Sequence, residues 1–346
     1  MNRICILIPA YNEAKLIAST LKSVSALLPL KDVYVADDGS NDSTYKIARS
    51  LTPNVLRLPN RGKATALNTA ILKFRLTKKY DLIFMLDADT QANPDFLKFA
   101  LPHFQNDPGQ KIVCVIGRVK GLGNNWISKY RQWEYLVSHF IHKRAQANLN
   151  SIVVVPGCAT IYRSYIFNKL KFPTGTLTED MDFTFELHRR GLSKMVFEDR
   201  AIVYVQDPQN LSDFVIQISR WYKGFWQVVK KHQIPWQGQL LDLEVVMLGL
   251  EGLYNGLIVI LFMVSLIPLT ISQRLDIFRL PVLVDLLVFF FPTLIWSSIS
   301  EKDFKYLLYI PHFYFLRFLS SLIFIRSFFL GFSNSKKEYV WDSNRY

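Results

Sequence analysis

The sequence has little of what marks several common classes of protein. It holds 3 cysteines in 346 residues, and Cys5, Cys114 and Cys158 lie far apart without any Cys-x-x-Cys pair. This argues against a disulfide framework and against a zinc site, and it suits a reducing compartment. No nucleic-acid-binding motif is present, and the apolar run at the N-terminus is too short for a secretory signal. We therefore expect no nucleic-acid partner and no export of the N-terminal region.

Acidic residues are also in the minority. Asp and Glu number 28 against 41 Lys and Arg, so the formal net charge is +13. Such a balance suits an anionic lipid surface, a phosphate-bearing substrate or nucleic acid. Half of the residues are hydrophobic, 14% are aromatic, and Phe and Leu crowd the C-terminal part. Because basic residues beside apolar segments are typical of the cytoplasmic face of a membrane, we favour a membrane surface.

Residues 1–235 alternate short apolar runs with helical patterns. Strands rich in β-branched residues are predicted at 4–9, 32–37, 54–58, 81–89 and 112–117, and helices at 13–28, 42–51 and 62–77. This alternation favours an α/β domain with a mostly parallel sheet and helices on both faces. Ligands bind outside the carboxyl ends of the strands in such sheets. The polar clusters ADDGSNDS and LDADT follow two of the predicted strands, so we expect chemistry there.

The composition changes at about residue 240. Apolar stretches of membrane-spanning length follow at 252–271, 280–298 and 306–325, and a polar tail occupies 333–346. Helices buried in a second soluble domain are the alternative. We expect the region 240–332 to attach the chain to the cell membrane, either as several spans or with one segment in the interface. Residues 206–235 would then lie at that interface, with the first domain in the cytoplasm.

Two pairs of carboxylates stand at predicted strand ends. Asp87 and Asp89 can reach one hard cation, since Mg²⁺ is bound by one or two carboxylates together with substrate phosphates. An ordinary turn rich in Asp is the alternative. Asp37 or Asp38 can accept hydrogen bonds from a nucleobase or a ribose, whereas capping of the next helix is the alternative role for this cluster.

Two later segments can carry catalytic or binding groups. Lys63 enters a predicted helix, where a helix N-terminus and a basic side chain together favour a phosphate. In LTEDMDFTFEL, Thr178 as the N-cap and Asp180 as a helix-start charge give a structural explanation. An acid at that place can also act as a general base.

The segment QISRW places Gln, Arg and Trp at i, i+3 and i+4, which is one face of a helix. A core-facing helix has little use for Arg, and a solvent-facing helix has little use for Trp. The wall of an active site beside a bilayer could use both. Packing in a membrane-interface aromatic belt is the alternative for the Trp.

Taken together, these segments resemble the motifs of the inverting glycosyltransferases related to cellulose, chitin and hyaluronan synthases. The motifs are PAYNE at 9–13, DDGS at 37–40, GKATALN at 62–68, DAD at 87–89, TED at 178–180, RRG at 189–191 and QISRW at 217–221. The resemblance covers roughly residues 4–230. Its most specific part is TED followed by QxxRW, whereas DAD alone is a weak signal.

The resemblance implies a Rossmann-like GT-A fold followed by C-terminal membrane helices. It implies transfer of a sugar, glucose or N-acetylglucosamine, from a UDP-sugar to a growing glycan with a β-linkage. Asp89 would hold Mg²⁺ or Mn²⁺, Asp180 would act as the general base with Glu179 beside it, and Trp221 would stack under the acceptor sugar. The donor nucleotide would be bound by Pro9, Tyr11, Glu13, Asp37, Asp38, Lys63, Asp87, Gln217 and Arg220.

Other functions stay open at this point. One is transfer of a single sugar to a polyprenyl phosphate or another lipid acceptor, against which QxxRW argues. Another is a non-catalytic membrane scaffold, against which the intact Asp89, Asp180 and Arg220 argue. The hydrophobic region is short, so a channel for a long polymer would require a homo-oligomer.

Overall fold

The structure is a computed structural model that describes residues 2–266 and 283–332. The expected polar tail at 333–346 lies outside the described residues, as do 267–271 and 280–282 of two expected membrane segments. The described residues pack as two compact units, one of residues 2–122 and 142–206 and one of 123–141, 207–266 and 283–332. These two units are defined by which residues pack together in the structure. The domain boundary expected near residue 235 is inferred from the sequence motifs, and it stays a prediction.

The first unit is built on a single sheet. Its strands are Ile4–Ala10 (β1), Val33–Asp37 (β2), Asn54–Arg57 (β3), Leu82–Met85 (β4), Thr90–Ala92 (β5), Cys114–Gly121 (β6), Thr160–Arg163 (β7) and Met195–Val205 (β8). The eight strands are ordered β3-β2-β1-β4-β7-β6-β8-β5. Four of the seven strand pairings are parallel, and β7 runs antiparallel to both of its neighbours.

Helices follow the strands and pack on the sheet. Within the described residues, the helices are Ile17–Ser25 (α1), Thr44–Leu51 (α2), Lys63–Lys73 (α3), Leu76–Lys79 (α4), Phe96–Gln105 (α5), Trp126–Val137 (α6), Arg144–Asn148 (α7), Ile166–Lys169 (α8), Glu179–Arg189 (α9), Leu211–Lys231 (α10), Leu240–Leu266 (α11), Phe291–Glu301 (α12), Lys305–Leu308 (α13) and Ile310–Phe332 (α14). Residues Ser138–Lys143 and Asp285–Phe290 are π-helical. A short 3₁₀ turn covers Leu30–Asp32.

The expected α/β architecture is confirmed, and every predicted strand has a counterpart. The strands β1 and β2 are buried along their whole length, as is typical of parallel strands covered on both faces. The strand predicted at 81–89 is shorter than expected and ends at Met85. The polar residues that follow it leave the sheet, and this places the DAD motif on a loop at the carboxyl end of β4.

The second unit consists of helices around an aromatic core. Trp133 of α6 meets Phe290 edge to face at 5.5 Å between ring centroids, and Tyr130 meets Phe313 of α14 in the same way at 5.4 Å. Such edge-to-face pairs add to the stabilisation that burial of the rings provides. The core therefore joins α6 to the C-terminal helices of this unit.

Among the described residues, one helix has the length and apolar composition to cross a bilayer. It is Ile310–Gly331, and 33% of its most apolar window is buried. It overlaps the expected segment 306–325. Length and composition alone define it, and core helices of soluble proteins share both properties.

Candidate functional site

The carboxyl ends of β1, β2 and β4 meet at one edge of the sheet, because these strands are parallel neighbours. The loop after β1 is tied to the loop after β2 by hydrogen bonds. Asn12 N–H donates to Ser40 Oγ at 2.9 Å, and Glu13 N–H donates to Thr44 Oγ1 at 2.7 Å. Two of the predicted donor residues, Pro9 and Glu13, are thus held at this edge, with Tyr11 between them in the chain.

Asp38 fixes the loop that leads into α3. Its Oδ1 accepts a hydrogen bond from Arg61 N–H at 3.0 Å, and its Oδ2 accepts one from Gly62 N–H at 2.8 Å. Gly62 has φ 90°, a left-handed conformation that favours glycine. Asp38 is fully buried. Burial raises the pKa of its carboxyl, whereas the two hydrogen bonds favour the charged form and oppose that rise. Its carboxylate therefore holds the backbone that presents Lys63, while its predicted contact to the nucleoside stays a prediction.

Asp37 lies beside it and is also fully buried. Its Oδ2 is 3.6 Å from Arg57 Nε. Burial raises the pKa of the Asp37 carboxyl, and hydrogen bonding to Ser40 and the charge of Arg57 oppose that rise. The pair places one cation and one anion at the end of β2, where the sequence predicts the nucleoside.

Lys63 joins three of the predicted motifs. Its Nζ lies 2.6 Å from Asp87 Oδ1 and 3.3 Å from Glu179 Oε1. A Cβ added to Gly157 would lie 3.1 Å from the same Nζ, so the backbone of residues 156–160, the PGCAT segment, also borders it. Burial opposes the charge of the ammonium, but Asp87 and then Glu179 outweigh burial, and the pKa of Lys63 is raised above its ordinary value. This cluster is the centre of the candidate site.

The DAD loop offers oxygen ligands. Thr90 N–H donates to the Asp87 carbonyl at 3.1 Å, and Thr90 Oγ1 donates to Asp89 Oδ1 at 3.2 Å. Ala88, between the two acids, is buried, whereas both acids are part-exposed. Two partly accessible carboxylates on a tight turn are the kind of ligand set that Mg²⁺ or Mn²⁺ takes. The residues present therefore fit a hard divalent cation.

Glu179 and Asp180 form the first turn of α9. Asp180 Oδ1 accepts a hydrogen bond from Met181 N–H at 2.8 Å. Thr184 Oγ1 donates to the Asp180 carbonyl at 2.7 Å and accepts from Val155 N–H at 2.9 Å, which ties this turn to the segment before PGCAT. Thr178 precedes the helix as expected, but its side chain makes no capping hydrogen bond. The N-cap position of Thr178 is therefore confirmed, without a hydrogen bond from its side chain to the helix.

Lys143 is a residue of this region that the sequence did not reveal. It is 8% exposed, and its Nζ donates to the Val154 carbonyl at 2.7 Å. Burial lowers the pKa of Lys143 to about 8, and the nearby Asp180 opposes that shift. In the sequence it stands in the stretch HKRAQ, which resembles a solvated helix face, so no local signal marked it. The π-helical segment that ends at Lys143 is of a kind often found at functional sites.

The QxxRW motif belongs to the second unit. It lies on α10, as its spacing predicts, and Ile218 within it is buried in the aromatic core. Trp221 packs against that core as a partly buried ring. The guanidinium of Arg131 on α6 lies 4.7 Å from the centroid of the Trp221 ring. Lys63, Asp87, Glu179 and the turn holding Asp180 are thus described in one unit, and Gln217, Arg220 and Trp221 in the other.

Comparisons with known proteins agree with the motifs. Residues 5–171 match the family model described as glycosyl transferase family 2. The chain is 29% identical over 233 residues to poly-beta-1,6-N-acetyl-D-glucosamine synthase of Staphylococcus aureus (strain COL), which covers 65% of this chain and 55% of that protein. It is 26% identical over 337 residues to the synthase of the same name from Staphylococcus epidermidis, covering 93% of this chain and 78% of that protein. The chain therefore spans about half the length of the S. aureus relative.

A solved structure has the same fold. The mannosyltransferase PcManGT from Pyrobaculum calidifontis, in complex with GDP-Man and Mn²⁺, matches with a TM-score of 0.61 at 17% identity, covering 92% of this chain and 87% of that chain. At this identity the likeness concerns the fold alone. The family match, the relatives and the fold all agree with the resemblance that the motifs indicate. Residues 5–171 match glycosyltransferase family 2, the fold is of the GT-A type, and the chain resembles the polysaccharide synthases.

Proposed function

We propose that the chain is an inverting glycosyltransferase that moves a sugar from a UDP-sugar to a growing glycan and forms a β-linkage. The observation that carries this proposal is the meeting of three motifs at one cation, with Lys63 Nζ 2.6 Å from Asp87 and 3.3 Å from Glu179. N-acetylglucosamine is favoured over glucose as the donor sugar, because the relatives named above are synthases of poly-N-acetylglucosamine.

The donor end of the site suits a nucleoside diphosphate and a divalent cation. Asp89, with Asp87 beside it, would hold Mg²⁺ or Mn²⁺ through carboxylate oxygens. When bound, such an ion offsets the negative charge that develops on a departing diphosphate. The ammonium of Lys63 supplies a second, fixed positive charge at the same place. Preorganised charge of this kind is commonly the largest contribution to transfer of a charged leaving group.

The acceptor end requires a single base. The acceptor hydroxyl loses its proton to a carboxylate oxygen of Asp180 as the hydroxyl oxygen bonds to the anomeric carbon. The bond from that carbon to the diphosphate oxygen breaks in the same displacement, and the configuration inverts. A general base of this kind raises the rate of transfer by roughly 10²–10⁴-fold. Glu179 is held by Lys63 at 3.3 Å, which favours a role in positioning the cation over a role in proton transfer.

The second unit would bind the acceptor and attach the enzyme to the cytoplasmic face of a membrane. Trp221 would offer its ring to the acceptor sugar, and Gln217 and Arg220 would line the diphosphate. On α11, large apolar side chains that are 54–60% exposed repeat at intervals of four and three residues, which is one side of a helix: Leu243, Met247, Leu250, Tyr254 and Leu257. An exposed apolar stripe of this length is typical of a surface that meets lipid.

Glu251 is also exposed on α11. A carboxylate at this position suits the headgroup level of a bilayer better than its hydrocarbon interior. The net charge of +13 suits anionic lipid headgroups at the same level. These features support a helix that lies along the interface.

The proposed activity is tested by UDP release from the detergent-solubilised full chain. UDP-N-acetylglucosamine and UDP-glucose are supplied in turn, with Mg²⁺, Mn²⁺ or EDTA, and the products are analysed by mass. We expect metal-dependent release with UDP-N-acetylglucosamine and a ladder of β-linked sugars. If the product is instead a single sugar attached to added polyprenyl phosphate, the acceptor is a lipid and the growing-glycan proposal is wrong. Absence of UDP release with every donor would leave the scaffold as the remaining function.

The role of Asp180 is tested with Asp180→Asn in the same assay. The amide keeps the size of the side chain but cannot take the proton, so we expect UDP-sugar binding to persist and transfer to fall by about 10²–10⁴-fold. Glu186→Gln is the matched control, because Glu186 lies on the same helix and pairs with Arg190 at 3.8 Å. Near-normal turnover of Asp180→Asn would remove Asp180 as the base.

A further inference from the structure

Within the second unit, the ring of Trp221 has a specific partner on α6. The Arg131 guanidinium carbon lies 4.7 Å from the centroid of the Trp221 ring and 4.8 Å from that of Tyr135. Both distances lie within the range of a cation–π contact, and Trp is the best aromatic partner for such a cation. One cation thus contacts two aromatic rings, one on its own helix and one on the helix that carries QxxRW.

Arg131 has little freedom to leave this position. It is 3% exposed, and its guanidinium is ion-paired with Glu134 one turn along α6. The helix itself is anchored, because Ile127 and Tyr130 belong to the same buried cluster as Phe214 of α10. Tyr130 and Phe214 meet edge to face at 5.9 Å. The contact between Tyr130 and Phe214 therefore ties the helix that carries Arg131 to the helix that carries Trp221.

A buried cation of this kind is costly unless its contacts compensate for the loss of water. Glu134 supplies the opposite charge, and an arginine in that ion pair alone could be replaced by a lysine of equal charge. The flat guanidinium adds what a lysine lacks, since it stacks on aromatic faces. The rings of Trp221 and Tyr135 thus supply a reason for arginine at this position beyond the ion pair with Glu134.

We propose that Arg131 is a positioning residue for acceptor binding, which fixes the ring of Trp221 in the orientation that an acceptor sugar requires. This inference rests on the proposed role of Trp221 as the acceptor platform. Arg131 covers part of the indole and restricts its rotation, and the remaining accessible part of the partly buried ring is left for the sugar. A ring already held in place loses less entropy when a sugar stacks on it.

The orientation of Trp221 can be measured without any activity. The full chain in detergent is labelled with 5-fluorotryptophan, and among its 7 tryptophans the ¹⁹F resonance of Trp221 is identified by its loss in Trp221→Phe. We expect Arg131→Met to move or broaden that resonance. Arg131→Lys should also move the resonance, because lysine restores the positive charge but not the flat guanidinium group that stacks on the ring. Lys129→Met is the matched control, since Lys129 is a buried cation of the same helix that pairs with Asp303 at 2.6 Å.

The kinetic counterpart separates acceptor binding from donor binding. In Arg131→Met we expect the KM for an N-acetylglucosamine oligosaccharide acceptor to rise about tenfold, the scale of a lost cation–π contact, with the KM for the donor unchanged. Arg131→Lys should restore the fold, as judged by thermal unfolding, without restoring the acceptor KM.

The outcomes of the two measurements distinguish this inference from the proposed function. An unmoved Trp221 resonance in both Arg131 variants, or full recovery of the acceptor KM by Arg131→Lys, would overturn it and leave Arg131 as a structural partner of Glu134 and Tyr135. A moved resonance with an unchanged acceptor KM would also overturn it. If the wild-type chain transfers no sugar to any acceptor, the proposed function fails, and with it the acceptor role of Trp221. The resonance would still report whether Arg131 holds the ring.

Discussion

Lys63 shows how one side chain can connect motifs that are far apart in the chain. Its partners Asp87 and Glu179 stand 24 and 116 positions later, and the ammonium lies between their carboxylates at 2.6 and 3.3 Å. Since those acids outweigh burial and raise the pKa of Lys63, the ammonium stays charged across the physiological range. It is therefore a permanent positive charge beside the proposed diphosphate.

Replacement of Lys63 by methionine should impair use of the donor. The change keeps the length of the side chain but leaves two acids without their shared cation, so we expect kcat/KM for the UDP-sugar to fall about 100-fold, as for the loss of one preorganised charge. The measurement is initial-rate UDP release at varied donor concentration. Lys22→Met, on the exposed face of α1, serves as the control and should behave as wild type. Unaltered donor kinetics in Lys63→Met would exclude a role in donor binding.

Lys143 should give the protein a pH-dependent stability of predictable sign. Its pKa is about 8 in the folded chain, below the value of about 10.4 in an unfolded one. Between these values the unfolded state binds more protons than the folded state, so the free energy of unfolding should rise with pH from about 8 to 10, by on the order of 2–3 kcal/mol. Denaturant unfolding of the detergent-solubilised chain across this range measures it. Lys143→Met should remove the rise, and an equal slope in both proteins would contradict the assignment.

The helices of the second unit depend on small residues where they cross. A Cβ added to Gly331 of α14 would lie 2.4 Å from the Cβ of Trp226 on α10, which is a severe overlap close to the backbone. A Cβ on Gly249 of α11 would meet the far edge of the Trp226 ring at 3.5 Å and that of the Phe225 ring at 4.0 Å, both ordinary contacts. The two glycines therefore differ in what an added methyl group would do.

We expect opposite effects from the same substitution at these two sites. Gly331→Ala should lower the free energy of unfolding by about 1–3 kcal/mol through overpacking. Gly249→Ala should raise it by up to about 1 kcal/mol, because alanine is the better helix former and its methyl group fits. Thermal unfolding of the full chain in detergent compares the two variants. Equal shifts would show that α10 and α14 do not approach as closely as described.

At the scale of the whole molecule, the apolar stripe on α11 should determine membrane association. We expect the double variant Leu250→Lys, Leu257→Lys to reduce the fraction of protein that stays in the membrane pellet after alkaline carbonate extraction. In the wild-type chain these two leucines would leave water for the lipid, which is favourable, and lysine removes that contribution. Leu72→Lys is the control, since Leu72 is an even more exposed leucine that lies in the first unit. Equal retention of both proteins would indicate that the stripe faces water or another protein.

Much of the first unit follows from local sequence. The β-branched runs at 4–9 and 32–37 identify β1 and β2, because fully buried parallel strands require such runs and little else. By contrast, β5 is three residues long and β8 carries the charged segment Glu-Asp-Arg in its middle. These two segments are strands because they pair with neighbouring strands, and the intrinsic preferences of their residues carry no information about that pairing.

The sequence by itself determined the family, the order of the motifs and the helical face of QxxRW, since these depend on residue types and on spacing along the chain. The tertiary structure alone decided that Asp38 holds the loop before Lys63, that Lys63 lies between Asp87 and Glu179, and that Arg131 covers Trp221. Each of these contacts joins residues that are distant in the chain. Strand order and helix packing bring such residues together, and both result from burial of the whole core rather than from any local preference.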